Sequence, residues 1–130
     1  EVGRTPLICV GEGSLGREGG EHGKCVGRQV TEVLSRLAPS VESAVILAYE
    51  PIWAVGTGNT ASPEQVQSMH AHIRAVAAPF INSVATRVLY GGSVTPHNAA
   101  SLLELPDVDG ALVGGASLEL DKFLSIAGGC

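Results

Sequence analysis

The 130-residue chain is 45% hydrophobic and carries a formal net charge of −5, a composition that supports one domain with a sizeable core. With only two lysines, Lys24 and Lys122, and no basic stripe, it does not fit a nucleic-acid binder. No apolar run approaches the ~18 residues of a membrane span, and residues 1–5 are polar with no signal-peptide pattern, so neither a membrane nor a secretory setting is expected.

The first apolar run is Leu7-Ile8-Cys9-Val10, which predicts a strand; a glycine-rich stretch follows it. Residues 25–37 then place Val26, Val30, Val33, Leu34 and Leu37 at spacings of three and four, which predicts a helix closed by Pro39-Ser40. A second apolar run covers residues 44–49. Ser62-Pro63-Glu64-Gln65 reads as an N-cap, a proline at the first helical position and an acidic first turn. The helix it opens should run to about Ala78 and bury Val66, Met69, Ile73 and either Val76 or Ala77. The third run is Arg87-Val88-Leu89-Tyr90, followed by a shorter helix from Thr95-Pro96 to Leu105. The fourth is residues 110–113, with a last helix at residues 120–127.

The four runs are almost continuously apolar rather than alternating, as in a parallel sheet covered on both faces. The β-α-β-α order predicts an α/β fold with right-handed crossovers. Either an open doubly wound sheet or half of a (β/α)8 barrel would fit, since a complete barrel needs ~250 residues. Residues 1–130 read as a single domain without linker or repeat. Aromatics are only 4% of the chain, so Val, Leu, Ile and Ala must fill its core. Cys9, Cys25 and Cys130 are odd in number and lack metal-ligand spacing, so free thiols, a cytoplasmic setting and no metal site are expected.

In a parallel α/β fold, chemistry collects at the carboxyl ends of the strands. The second run ends in Tyr49-Glu50-Pro51. A carboxylate enclosed there would be a candidate general base, because burial raises a carboxyl pKa toward neutrality. The position alone equally fits an ion-paired strand-end glutamate. Residues 52–61 follow, longer than the usual ~2–6-residue βα loop and apolar in the middle. A lid that excludes water needs that composition; a segment packed permanently on the rim would share it. The third run ends in Gly91-Gly92-Ser93 and the fourth in Gly114-Gly115-Ala116-Ser117. One Gly-Gly pair alone is a tight turn, but two on adjacent strands, with a serine hydroxyl, suit a phosphate. No G-x-G-x-x-G turn joins strand to helix, which argues against a nucleotide fold.

Residues 48–58, Ala-Tyr-Glu-Pro-Ile-Trp-Ala-Val-Gly-Thr-Gly, resemble the catalytic-loop signature of the triosephosphate isomerase family. Residues 90–94 and 109–118 are similar to later motifs of that family, in its order, and Cys9-Val10-Gly11-Glu12 with Arg17-Glu18-Gly19-Gly20 to its fifth strand and following loop. The resemblance covers nearly the whole chain and implies the fifth to eighth βα units, the C-terminal half of a (β/α)8 barrel. It also implies an aldose-ketose isomerase, an intramolecular oxidoreductase acting on dihydroxyacetone phosphate and glyceraldehyde 3-phosphate. In it Glu50 would be the base. Pro51, Ile52, Trp53, Ala54, Val55, Thr57 and Gly58 would belong to the lid, with hinges at residues 51–53 and 59–61. Gly56, Ser93, Gly114 and Gly115 would bind the substrate phosphate, and Tyr90 and Ser93 would meet the closed lid. No cofactor or metal is implied; the partners would be a small phosphorylated sugar and, at full length, a second copy in a homodimer.

The family also uses a lysine and an electrophilic histidine from strands that precede the matched region. Lys24, Lys122, His22, His70, His72 and His97 match neither motif, and surface or helix-face positions are expected for all four histidines. The 130 residues alone are therefore expected to be inactive. Isomerisation of a related small ketose phosphate and a non-catalytic phosphate-binding half-barrel remain as alternatives.

Overall fold

The computed structural model describes residues 4–37, 45–54, 60–81 and 86–128. Their elements run β1 (Leu7–Val10), α1 (Ser14–Glu18), α2 (His22–Leu34), β2 (Ile46–Tyr49), α3 (Pro63–Ala77), β3 (Arg87–Tyr90), α4 (Ala99–Leu103), β4 (Gly110–Ala111) and α5 (Leu120–Ala127). A 3-10 turn at Gly115–Leu118 joins β4 to α5. The four strands form one parallel sheet in the order β1-β2-β3-β4, as the alternation predicted.

The register places Ile8 beside Leu47, Leu47 beside Val88, and Val10, Tyr49 and Tyr90 in one row. Because side chains alternate across a strand, these residues share a face. All except the half-buried Ile8 are buried, packed with Val26 and Val30 of α2 and Val66, Met69 and Ile73 of α3. Leu7, Cys9, Ile46, Arg87 and Leu89 point to the other face, which the described helices leave open; Leu7 and Cys9 are exposed there. A half-barrel was expected to turn Ile8, Val10, Leu47, Leu89 and Leu112 toward its missing half; of these, Ile8, Val10 and Leu47 lie under the helices instead.

The start of α3 forms as its sequence predicts. The Ser62 hydroxyl accepts from Gln65 N, and the Gln65 side chain accepts from Ser62 N, a reciprocal cap with Pro63 at the helix start. Arg74 of α3 pins this helix to the β3–β4 crossing: it pairs with Asp107 and Asp109 and donates to the carbonyls of Thr86 and Asp107. Asp109 in turn accepts from Val88 N at 2.6 Å.

Other boundaries differ from expectation. α2 begins at His22 and ends at Leu34, three residues earlier at each end than periodicity suggested, and Val33 is partly exposed. Gly23 and Gly27 do not break it because α3 packs against them: His72 Nε2 lies 2.9 Å from the Gly23 carbonyl, and a Cβ on Gly27 would come 3.1 Å from the same nitrogen. α4 starts at Ala99 rather than near Thr95, since the Asn98 side chain first accepts from Thr95 N and closes a turn. β4 has two residues, not four; Leu112 N still donates to the Tyr90 carbonyl before the chain turns at Gly114. α1, within the glycine-rich stretch, was not anticipated.

Candidate active site

Glu50 follows β2, with its backbone N–H donating to the Val10 carbonyl at 2.8 Å. Its side chain falls on the open face of the sheet because it shares parity with Ile46 and Ala48. Two glycines make room for it. A Cβ on Gly11 would lie 1.7 Å from the Glu50 carbonyl oxygen, and one on Gly91 would lie 2.8 Å from Glu50 Cγ. The Cys9 thiol on the neighbouring strand faces the same carboxylate; partial desolvation raises its pKa, and the hydrogen bond and charge of Glu50 raise it further. Glu50 is half-buried, less enclosed than the apolar run before it suggested.

The carboxylate opens into a cavity of about 690 Å3 beyond the ends of β3 and β4. Gly91, Gly92 and Ser93 line one side, and Leu112, Gly114 and Gly115 the other. The structure thus gathers Glu50, Ser93, Gly114 and Gly115 around one space. Ser93 is exposed, and its carbonyl accepts from Asn98 Nδ2, which fixes the loop that carries it. Gly114 precedes the 3-10 turn, and its carbonyl accepts from both the N–H and the hydroxyl of Ser117. The first N–H groups of such a turn have no partner within it and face outward as donors.

The ends of the segment expected to form a lid are described and its middle is not. Pro51 and Ala54 are buried, Trp53 is half-buried, and Ile52 is exposed. Beyond the tip, Thr60 is exposed and Ala61 buried, directly before α3. Val55, Gly56, Thr57, Gly58 and Asn59 lie outside the described residues. Tyr90 is buried; burial raises the pKa of its hydroxyl, which has no hydrogen-bond partner among the described residues.

Glu12 is a functional candidate that the sequence reading left without a role. It is fully buried, and its Oε1 accepts from Tyr49 Oη at 3.1 Å and from Trp53 Nε1 at 2.9 Å. Arg17 Nη1 stands 3.7 Å from the same oxygen, with its guanidinium carbon 4.9 Å from the Trp53 ring centroid. One carboxylate therefore joins β2, Trp53 and the loop after β1. Burial and the Glu12 charge push the Tyr49 pKa up. The available signal was positional: Gly11-Glu12 follows β1 as Glu50 follows β2.

His70 lies on a helix face, as expected, but on the fully buried face of α3. It stands among the rings of Tyr49 and Tyr90, with centroids 5.9 and 6.3 Å away, and Nδ1 is 3.1 Å from the Asp107 carbonyl. Burial lowers its pKa to about 4. His22 and His72 are half-buried and only His97 is exposed, at the cavity rim. Among the described residues, no group of three or more His, Cys, Asp or Glu side chains is placed to hold a metal ion.

The family profile described as triosephosphate isomerase matches residues 1–130. The chain belongs to the triosephosphate isomerase family. It is 53% identical over 127 residues to the triosephosphate isomerase of Bordetella pertussis, covering 98% of this chain and 50% of that protein. The Cupriavidus necator triosephosphate isomerase is 51% identical over 128 residues, with shares of 97% and 52%. That of Porphyromonas gingivalis is 52% identical over 127 residues, with shares of 95% and 51%. The chain thus spans about half the length of these curated relatives, which accords with four βα units of an eight-unit family fold. No helix among the described residues is long and apolar enough to cross a membrane.

Proposed function

We propose that this chain supplies the base, lid and phosphate-binding loops of a triosephosphate isomerase, an aldose-ketose isomerase that interconverts dihydroxyacetone phosphate and D-glyceraldehyde 3-phosphate. The observation that carries the reading is the single cavity shared by Glu50, Ser93 and Gly114-Gly115. A phosphate held by the Ser93 hydroxyl and the backbone N–H groups at Gly114 and Gly115 would direct the short carbon chain of a triose toward Glu50. The carboxylate then removes a proton from the carbon beside the carbonyl and returns it to the neighbouring carbon, through an enediol(ate). No electron acceptor is needed, because the two carbons exchange oxidation level within one molecule. Charge that develops on the carbonyl oxygen requires aligned donors, and the family resemblance assigns these to a histidine and a lysine outside these 130 residues.

Gly56 and the lid would close over the phosphate and exclude water, with Glu12 holding the Trp53 end. A homodimeric state at full length and a cytoplasmic setting are parts of the same proposal. The test is Glu50→Asp in a polypeptide of the relatives' full length. Shortening the side chain draws the carboxylate back by about 1 Å, and kcat should fall on the order of 10²-fold with little change in KM. An unchanged kcat would remove Glu50 from the reaction.

A further inference from the structure

The pairing of β1 ends at Val10, which stands beside Tyr49 and accepts from the Glu50 N–H. Gly11 follows, buried and beyond that ladder. One side chain of α2 takes up both of its backbone polar groups. Gln29 Oε1 accepts from the Gly11 N–H at 2.9 Å, and Gln29 Nε2 donates to the Gly11 carbonyl at 2.9 Å. A flipped amide would set donor against donor and acceptor against acceptor, so the two bonds together fix its orientation. Buried peptide groups are costly to leave unpaired. The amide therefore clamps the loop after β1 to α2.

The clamped residue is the one that backs Glu50. A Cβ on Gly11 would stand 1.7 Å from the Glu50 carbonyl oxygen and 2.8 Å from the carbonyl carbon, so the two backbones are in direct contact. The next residue is Glu12, whose carbonyl accepts from the Trp53 N–H at 3.3 Å. A displacement of residues 10–12 would thus be felt on both sides of the Glu50-Pro51 step. Gln29 itself does not line the cavity that Glu50, Ser93 and Gly114-Gly115 share.

We propose that Gln29 is a positioning residue for the isomerisation, holding Glu50 in line through the backbone of Gly11 without touching the substrate. The proposal rests on the reading of Glu50 as the base.

The experiment is a double-mutant cycle of Gln29→Met with Glu50→Asp in a polypeptide of the relatives' full length, with thermal melts beside the kinetics. Methionine keeps the length of the side chain and loses both hydrogen bonds. Gln29→Met should lower kcat about tenfold, short of the ~10²-fold of a 1 Å misplacement because the Glu50 N–H keeps its bond to Val10. KM should stay within about twofold, since the phosphate loops are untouched. In the Glu50→Asp background the carboxylate is already off line, and the same change should cost less than about threefold. Gln29→Glu guards against a variant that does not fold. Its protonated carboxyl accepts from the Gly11 N–H and donates to the Gly11 carbonyl as the amide does, whereas its ionised form cannot donate. The ratio of its kcat to that of wild type should therefore rise about threefold from pH 8 to pH 5.5. Cys25 Sγ, 3.8 Å from the same amide, and Glu12, which adjoins Gly11, are present in both proteins, so the ratio cancels their titration. A wild-type kcat in Gln29→Met, an equal loss in both backgrounds or a loss carried by KM would overturn the proposal, as would a flat ratio for Gln29→Glu. An unchanged kcat in Glu50→Asp alone would instead overturn the reading of Glu50 as the base.

Discussion

Gly91 bears on Glu50, the proposed base, although it has no side chain to offer. Glu50 Cγ occupies the space where a Cβ on Gly91 would stand, at a separation of 2.8 Å. Gly91→Ala should therefore push the carboxylate off line and lower kcat of the full-length enzyme by about 10²-fold, with folding retained. Steady-state kinetics beside a thermal melt would separate the two effects; wild-type kcat would show that Glu50 can sit elsewhere. His70 carries a prediction about pH. Its folded pKa, about 4, lies below the ordinary value of 6.5, so the folded protein keeps the ring neutral where the unfolded chain would protonate it. Above pH 6.5 this has no effect on stability. As pH falls from 6.5 toward 4, stability is lost at about 1.4 kcal/mol per unit, on the order of 3 kcal/mol in all. Urea midpoints measured from pH 8 to 5 should be flat above neutrality and then fall, and His70→Phe should remove most of that slope between pH 6.5 and 5.

Elements were legible where a local rule governed them. β1 and β3 end where their apolar runs end, and the cap at Ser62 was readable because four consecutive residues carry its chemistry. The start of α2 was not, because Gly23 and Gly27 look like helix breakers until His72 of α3 packs against them. The side of the sheet each strand residue faces was also hidden, since a continuously apolar strand shows no alternation to read. The Glu12 cluster escaped for a related reason: residues 12, 17, 49 and 53 meet only after β1 and β2 pair. Glu50, Ser93 and Gly114-Gly115 could be singled out as candidates because each directly follows its strand, and they line one cavity. The Ser62 cap has a consequence of its own at this scale, because it directly follows residue 61, the end of the proposed lid. Ser62→Ala should destabilise the fold by about 1 kcal/mol, visible as a lower melting temperature, and should speed amide exchange in the first turn of α3. Unchanged exchange there would mean that Pro63 and packing hold the turn without the hydroxyl.

At the scale of the molecule, the sheet of the described residues has two edges, at β1 and β4, and an open face bearing Leu7, Ile46, Leu89 and Leu112. Leu120, Phe123 and Leu124 of α5 are exposed as well. Unpaired strand edges and apolar patches of this kind drive association. Residues 1–130 expressed alone should self-associate, bind a hydrophobic dye and show no significant isomerase activity, since losing even one oxyanion donor costs ~10²–10³-fold. Light scattering and a coupled assay, with and without the N-terminal half of a relative, test this. Robust turnover by a monodisperse single chain would show an electrophile within these residues.

The parity of β2 also sets which changes of length this chain can absorb. Glu50 reaches the cavity because it is an even number of residues from Ile46, while Tyr49, one place earlier, points into the helix layer. Inserting one residue between Ile46 and Tyr49 would exchange the two, placing a carboxylate in the core and a phenol toward the cavity. Length variation among functional homologues should therefore concentrate in the connections between elements, as at residues 11–21, and β2 should keep its length to the residue.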